Sequence, residues 1–141
     1  MSGIAALVQS GGGLADRAFV ERVTSGLGYR GPDASGVWVE GEVGLGHTLH
    51  IATVEARRER QPLARDGVII TADARIDARE ELAEQLARAG QRADLDAPDV
   101  ELIASAYLAW GERCVERLLG DFAFALWDQR ERKLFCAIDP V

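Results

Sequence analysis

The stretch GDFAFALWDQRERKLFCAIDP, residues 120–140, holds two runs of apolar and aromatic residues on either side of a charged segment. The runs Phe122 to Trp127 and Leu134 to Ile138 predict two strands around a turn at Asp128 to Lys133. Upstream, the β-branched and apolar run Val68 to Ala72 predicts a central strand. The second half of the chain is therefore predicted to supply a strand and a hairpin.

The remaining elements fall into separate groups of strands and helices. The first half predicts a strand over Ile4 to Val8, a helix over Leu14 to Leu27, and strands over Gly36 to Glu40 and Val43 to Ile51. After a polar loop at 52–65, helices are predicted over Asp77 to Ala89, Pro98 to Trp110 and Val115 to Leu119. This segregation indicates an α+β fold of layered sheets rather than a doubly wound nucleotide-binding fold.

Length and composition are typical of one globular domain. The 141 residues, of which 48% are hydrophobic and 28% charged, can form a core without disulfides or metals. The net charge of −7 and the absence of a basic stripe argue against nucleic acid as a partner. The cluster Arg57-Arg58-Glu59-Arg60 is interpreted as a solvated loop, because its carboxylate and that of Glu55 dilute the positive charge.

The expected compartment is the cytoplasm. No apolar run approaches the ~18 residues of a membrane span, and the start of the chain lacks the features of a signal peptide. Cys114 and Cys136 have no metal-ligand spacing and are expected to be free, buried thiols.

Most polar clusters have a structural interpretation. His47 and His50 lie three apart on a predicted strand, so one is expected to be packed and the other exposed, with no shared metal. Glu80, Glu81 and Glu84 are interpreted as the solvated face of a helix rather than as acid–base catalysts.

Ser2 is a candidate nucleophile. Removal of Met1 would leave it with both a hydroxyl and a free α-amine. That amine has a pKa of roughly 8 and can act as the base for its own hydroxyl. Met-Ser is a common start, however, so this feature alone does not identify a catalytic site.

Several short motifs spread over the chain resemble class II glutamine amidotransferases, the N-terminal-nucleophile hydrolases, and among them asparagine synthetases. They agree with that family in order and spacing over essentially the whole chain. The motifs are Ser2-Gly3-Ile4-Ala5, Arg30-Gly31-Pro32-Asp33, Leu45-Gly46-His47, Gln61-Pro62-Leu63, Asp99-Val100-Glu101-Leu102-Ile103, Trp110-Gly111 and residues 120–128 running to Asp139-Pro140.

The resemblance implies a four-layer αββα sandwich of antiparallel sheets. In the family, a cysteine after Met1 attacks the side-chain amide of glutamine, and the ammonia passes to an ATP-dependent synthetase domain. We therefore expect that synthetase domain of the same parent chain as a partner, with ATP and Mg needed only there. Residues 1–141 are interpreted as one amidotransferase-like domain truncated at its C-terminal end. Glutamine or a peptide is the expected substrate, and a homodimer is considered.

The positions that match the family's glutamine pocket are mostly altered. Ser2 stands where the nucleophilic cysteine is expected, and a serine hydroxyl needs stronger activation than a thiol. The arginine that binds the glutamine carboxylate is expected just after His47, where this chain has Leu49 and His50.

The family's Asn-Gly-Glu, which follows the central strand, is replaced by Asp73, Ala74 and Arg75. The asparagine side chain and the glycine N–H form the oxyanion hole in the family, whereas an aspartate presents acceptors where donors are needed. Arg75 reverses the charge of a glutamate that contacts the substrate. Only Asp99 matches the family's remaining substrate-binding acid.

Three functions are compatible with this pattern. The first is a degenerate glutaminase domain that acts as scaffold or positions substrate for an amide ligase. The string Thr71 to Asp77 is similar to lasso-peptide cyclases, in which the peptide's own amine is the nucleophile and ammonia is unnecessary. The second is an active amidohydrolase in which Ser2 releases ammonia from glutamine or another amide. The third is a free-standing interaction module.

Overall fold

A computed structural model describes residues 1–140 and shows an α+β fold built from two antiparallel sheets and flanking helices. The first sheet contains β1 (Gly3–Val8), β2 (Ala34–Glu40) and β3 (Val43–Leu49) in the order β1-β3-β2. The second contains β4 (Leu63–Arg65), β5 (Val68–Ile76), β6 (Gly120–Asp128) and β7 (Lys133–Ile138) in that order. The helices are α1 (Arg17–Gly26), α2 (Arg79–Arg88) and α3 (Asp99–Trp110).

The layers are α1, the first sheet, the second sheet, and the pair α2 and α3, which is the predicted αββα sandwich. Alternate residues of β5 divide the core. Val68, Ile70 and Ala72 pack with the helices, whereas Ile69 packs with the first sheet. Because side chains alternate along a strand, Thr71 and Asp73 share the face of Ile69. This alternation directs Asp73 toward the N-terminus of β1.

Close packing brings α1 onto the first sheet. A Cβ added at Gly46 of β3 would lie 1.9 Å from Oγ1 of Thr24 in α1. The helix begins after Asp16, whose side chain accepts the backbone N–H of Ala18 at 3.0 Å. It is therefore shorter at its N-terminus than the predicted span from Leu14, because the Asp16 cap sets the first turn.

The loop predicted over 52–65 was the main error of secondary structure. It contains a 3₁₀ helix at Glu55–Arg58 and the short strand β4. Other differences concern boundaries, and one of the largest is that β5 runs to Ile76, four residues beyond the predicted end at Ala72. The strand β2 begins at Ala34 rather than Gly36, and the predicted short helix over 115–119 is a 3₁₀ helix at Gly111–Glu116. These segments have too few residues for a clear periodicity.

The two cysteines lie in different environments. Cys114 is buried as predicted, but Cys136 is exposed, so the prediction of two buried thiols was wrong. Cys136 belongs to β7, an edge strand that pairs on one side only. Arg57, Arg58 and Arg60 are exposed, as expected for a solvated cluster. None of the helices within residues 1–140 is long and apolar enough to cross a bilayer.

Candidate functional site

A cavity of about 490 Å³ opens beside the N-terminus of β1 and the free edge of β5. This free edge is the side of residues 71–76 that lies beyond β4, because β4 pairs only with residues 68–70. It brings together all the positions that the sequence singled out for the glutamine pocket. These are Ser2, Leu49, His50, Asp73, Ala74, Arg75 and Asp99. The structure thus collects these residues from four separate segments of sequence into one concave surface.

Ser2 is fixed by contacts on both its backbone and its side chain. Its Oγ accepts the backbone N–H of His50 at 3.1 Å, and its own backbone N–H donates to Oδ1 of Asp73 at 2.9 Å. Nε of Arg30 lies 3.4 Å from the Ser2 carbonyl oxygen, which it faces as a donor. Ser2 is 8% exposed. The hydroxyl and the nitrogen of this residue are therefore held in defined positions at the cavity wall.

The neighbour Gly3 explains how β1 reaches this position. Its N–H donates to Oγ1 of Thr48 at 3.1 Å, and that hydroxyl donates to the carbonyl of Leu27 at 3.0 Å. A Cβ at Gly3 would lie 2.5 Å from Oγ1 of Thr48 and 2.8 Å from Cβ of Leu27. Only glycine fits here without displacing its neighbours, so Gly3 is a structural requirement for the site.

The free edge of β5 is completed by a side chain rather than by a strand. Gln61 accepts the Ala72 N–H on Oε1 at 2.6 Å and donates from Nε2 to the Ala72 carbonyl at 3.0 Å. Phe122 of β6 lies directly opposite Ala74. Its N–H donates to Oδ1 of Asp139 and its carbonyl accepts the Asp139 N–H, both on the side of β6 away from β5. In an antiparallel pair, directly opposite residues either bond to each other or both turn their backbone N–H and C=O groups away from each other. Because the Phe122 groups face Asp139, the Ala74 N–H points away from β6, toward the cavity edge. It is a donor available to a ligand.

Glu59 lies against this edge with its carboxylate turned inward, although the sequence placed it in a solvated cluster. Its side chain is 12% exposed and accepts a hydrogen bond from Nε2 of Gln61. Burial raises the pKa of Glu59 from 4.5 to about 7, and the Gln61 amide opposes that rise. The carboxyl group therefore binds its proton more tightly than an exposed glutamate does, and it titrates near neutral pH.

His47 lies beneath Glu59 and is uncharged at neutral pH. Its side chain is 2% exposed, and burial lowers its pKa to about 4. Nε2 is 3.0 Å from the Ala72 carbonyl oxygen, which can only accept, so this nitrogen carries the proton. The 3.8 Å separation from Glu59 is thus not an ion pair. His50 is exposed, as predicted for the second histidine.

Asp99, the one acidic position that matches the family, is already paired. Its carboxylate accepts from Nη1 of Arg79, and the same guanidinium donates to the carbonyls of Leu95 and Ala97. Burial raises the pKa of Asp99, and Arg79 opposes this effect. Asp99 therefore anchors the start of α3 to α2, and its charge is partly neutralised before any ligand arrives.

Arg75 faces solvent at the rim of the cavity. Its guanidinium lies 3.4 Å from Asp77 and 4.0 Å from Asp121, and its side chain is 67% exposed. It does not pair with Asp73, whose carboxylate is directed at Ser2 instead. Exposed ion pairs of this kind contribute little to stability.

The sequence missed Glu59 and Gln61 as members of the site. Gln61 appeared only within a family motif, and Glu59 was read as part of a charged loop. No pattern in the sequence distinguishes these two residues, because Glu59, Arg60 and Gln61 are all polar and follow other charged residues. Within residues 1–140 no group of three or more His, Cys, Asp or Glu side chains is arranged to hold a metal ion.

Comparison with known proteins gives the same family at the levels of sequence and fold. The glutamine amidotransferase domain family matches residues 1–141. Asparagine synthetase [glutamine-hydrolyzing] 3 of Bacillus subtilis is 35% identical over 128 residues, covering 88% of this chain and 20% of the relative. Asparagine synthetase [glutamine-hydrolyzing] 2 of rice, Oryza sativa subsp. japonica, is 33% identical over 130 residues, covering 91% of this chain and 21% of the relative.

The chain spans about a fifth of the length of these curated relatives. Among solved structures, glutamine PRPP amidotransferase from B. subtilis superimposes with a TM-score of 0.52 at 20% identity. The superposition covers 72% of this chain and 24% of that protein. At this identity the likeness shows the fold, which is that of the N-terminal-nucleophile amidotransferases.

Proposed function

This chain belongs to the glutamine amidotransferase domain family, and from that premise we propose that it is a degenerate glutaminase domain of an asparagine synthetase-type ATP-dependent amide ligase. In this proposal the domain serves as a scaffold or positions substrate for a synthetase domain of the same parent chain. ATP and Mg would act in that synthetase domain. The similarity to lasso-peptide cyclases extends the proposal to a ligase whose amine comes from a peptide, and this remains a prediction, as does a homodimer.

The observation that carries the proposal is the contact between Asp73 and Ser2. The resemblance implies an asparagine at position 73, whose amide would donate to the developing oxyanion. The carboxylate of Asp73 can only accept when ionised, and it lies 2.9 Å from the nitrogen of the candidate nucleophile. Loss of one oxyanion donor typically lowers kcat by about 10²–10³. The second donor of the family's oxyanion hole, a backbone N–H, is still available here as the outward-pointing Ala74 N–H.

The rest of the pocket supports the same proposal. A free glutamine carries a carboxylate and an ammonium, and each needs a partner of opposite charge. The segment that should supply an arginine for the carboxylate has Leu49 and His50. For the ammonium, Asp99 is engaged by Arg79, and Arg75 has the wrong charge. Substrate would therefore meet few of the contacts that the family provides.

The alternative function is an active amidohydrolase that uses Ser2, and one experiment separates the two. Glutamine hydrolysis is measured with the full-length protein processed to begin at Ser2, together with Ser2→Cys and Ser2→Ala. If the domain is degenerate, none of the three forms is expected to release ammonia. Ammonia release by the wild type that is lost in Ser2→Ala would refute the proposal and establish Ser2 as a working nucleophile.

The Ser2→Cys variant distinguishes two causes of inactivity. A thiolate is a far better nucleophile than a serine hydroxyl at neutral pH. If Ser2→Cys gains activity while the wild type is silent, the pocket still binds glutamine and only the nucleophile has been lost. If both are silent, the altered pocket itself prevents the reaction, which is the expected result.

A further inference from the structure

The nitrogen of Ser2 is held opposite a carboxylate by the packing of the two sheets. Asp73 follows Ile69 and Thr71 on the face of β5 that meets the first sheet, and Oγ1 of Thr71 donates to the Gly46 carbonyl at 2.9 Å. Two residues further along, Oδ1 of Asp73 lies 2.9 Å from the Ser2 nitrogen. The contact thus depends on the register of β5 against the first sheet and not on a mobile loop.

This contact changes the chemistry of a chain that begins at Ser2. In such a chain the nitrogen is an α-amine, with an ordinary pKa of about 8, and its lone pair must take the Oγ proton as the hydroxyl attacks an amide carbon. An ammonium has no lone pair for that proton. An opposite charge within ~4–6 Å favours the charged form and typically raises an amine's pKa by about 1–3.

We propose that Asp73 silences the site by pairing with the Ser2 α-ammonium, which leaves the hydroxyl without a base. This inference rests on the proposed function, a degenerate glutaminase, and names the residue that would disable its first proton transfer. Asp73 thus acts through the Ser2 amine rather than on the substrate, and its effect is inhibitory. An asparagine of the same shape at this position would leave the amine free and would offer a donor to the oxyanion.

Other charges around the cavity act on the amine less directly. Nε of Arg30 faces the Ser2 carbonyl oxygen at 3.4 Å, and the His50 imidazole lies 3.6 Å from Asp33. Arg75 lies at the rim between Asp77 and Asp121. The remaining carboxylates that line the cavity are Glu55, Glu59, Asp99, Asp121 and Asp139. All of these are retained when only Asp73 is replaced, so a comparison of variants isolates its contribution.

The test is the titration of the α-amine itself. The full-length protein is prepared as a fusion that is cleaved to begin at Ser2, and intact mass verifies the new terminus. Acetic anhydride is applied in brief pulses from pH 6 to pH 11, and mass spectrometry of the N-terminal peptide gives the acetylation rate at each pH. Since only the free amine reacts, the midpoint reports its pKa, whereas limited access changes only the plateau.

Wild type, Asp73→Asn and Asp121→Asn are compared. Asp121 lines the same cavity and loses the same charge when replaced, but it contacts Arg75 and not Ser2. The expected midpoint in Asp73→Asn is at least one pH unit below that of the wild type, which is about tenfold more free amine at neutral pH. Asp121→Asn is expected to stay close to the wild type. If Asp73→Asn melts early, the smaller neutral Asp73→Ser serves in its place.

Two results would overturn the inference. Coincident midpoints in the wild type and Asp73→Asn would show that the carboxylate does not hold the amine protonated. An equal displacement in Asp121→Asn would show a general effect of cavity charge. Neither result depends on glutamine hydrolysis, so a failure of this inference can be distinguished from a failure of the proposed function.

Discussion

Replacement of Glu59 by glutamine is expected to stabilise the protein in alkaline solution and to leave it almost unchanged in acid. The Glu59 carboxyl lies in a largely buried position and accepts a hydrogen bond from Gln61. Glutamine has the same shape, and its oxygen can accept the same bond. The substitution therefore removes a titrating group and retains the packing.

The magnitude follows from the pKa of Glu59, which burial raises from 4.5 to about 7. The folded chain binds this proton more tightly than the unfolded chain, so the stabilisation is complete below pH 4.5 and is lost as the pH rises through about 7. Each pKa unit corresponds to about 1.4 kcal/mol, so the wild type loses about 2–3 kcal/mol between pH 5 and pH 8.5. Glu59→Gln avoids that loss.

His47 contributes in the opposite direction. Burial lowers its pKa from 6.5 to about 4, so its stabilising contribution is present above pH 6.5 and is lost as the pH falls toward 4. In the wild type the two trends oppose each other between about pH 4.5 and 6.5. Because His47 is present in both proteins, its effect largely cancels in the difference between wild type and Glu59→Gln.

The assay is equilibrium urea denaturation followed by tryptophan fluorescence at pH 5 and pH 8.5. We expect Glu59→Gln to exceed the wild type by about 2–3 kcal/mol at pH 8.5 and by less than about 1 kcal/mol at pH 5. Glu80→Gln, on the exposed face of α2, is the matched control and should change stability by less than about 0.5 kcal/mol at either pH. An advantage of Glu59→Gln that is equal at both pH values would refute the reasoning.

Two further substitutions test the packing and the paired acid. Gly46→Ala should lower stability by about 1–3 kcal/mol in urea denaturation, because its Cβ would lie 1.9 Å from Oγ1 of Thr24. Gly26→Ala, whose Cβ has no neighbour within 4 Å, should not lower it. Arg79→Leu should destabilise the protein by about 1–3 kcal/mol at pH 8 and by less at pH 4, where Asp99 can be protonated. An equal loss at both pH values would contradict the assigned pairing.

The regular elements could be predicted because their patterns are long and their ends are marked. The span of α3 was predicted to within one residue, since Pro98 precedes it and Gly111 ends it. The strands β6 and β7 were also predicted closely, because the charged turn between them interrupts two apolar runs. In these segments local propensity and tertiary burial agree, so the sequence pattern alone is sufficient.

The segment 52–62 could not be predicted from its pattern, because its role depends on contacts distant in sequence. Gln61 uses its side-chain amide to occupy the hydrogen-bonding positions of a strand against Ala72. Glu59 is buried only because this arrangement draws the segment over the edge of β5. Charge and polarity point to solvent for both residues, and only the folded edge of the sheet reverses that expectation.

The alterations in the pocket affect charge more than architecture. Two of the contacts that hold the start of β1, the Gly3 N–H on Thr48 and the His50 N–H on the Ser2 Oγ, involve only backbone N–H groups and hydroxyls. The cavity beside them has a volume of about 490 Å³. What differs from the pattern that the resemblance implies is the charge at positions 49, 73 and 75, whereas Asp99 is present but paired with Arg79. Under the proposed function, loss of glutamine chemistry therefore requires no loss of fold, and a stable domain can continue to support a ligase.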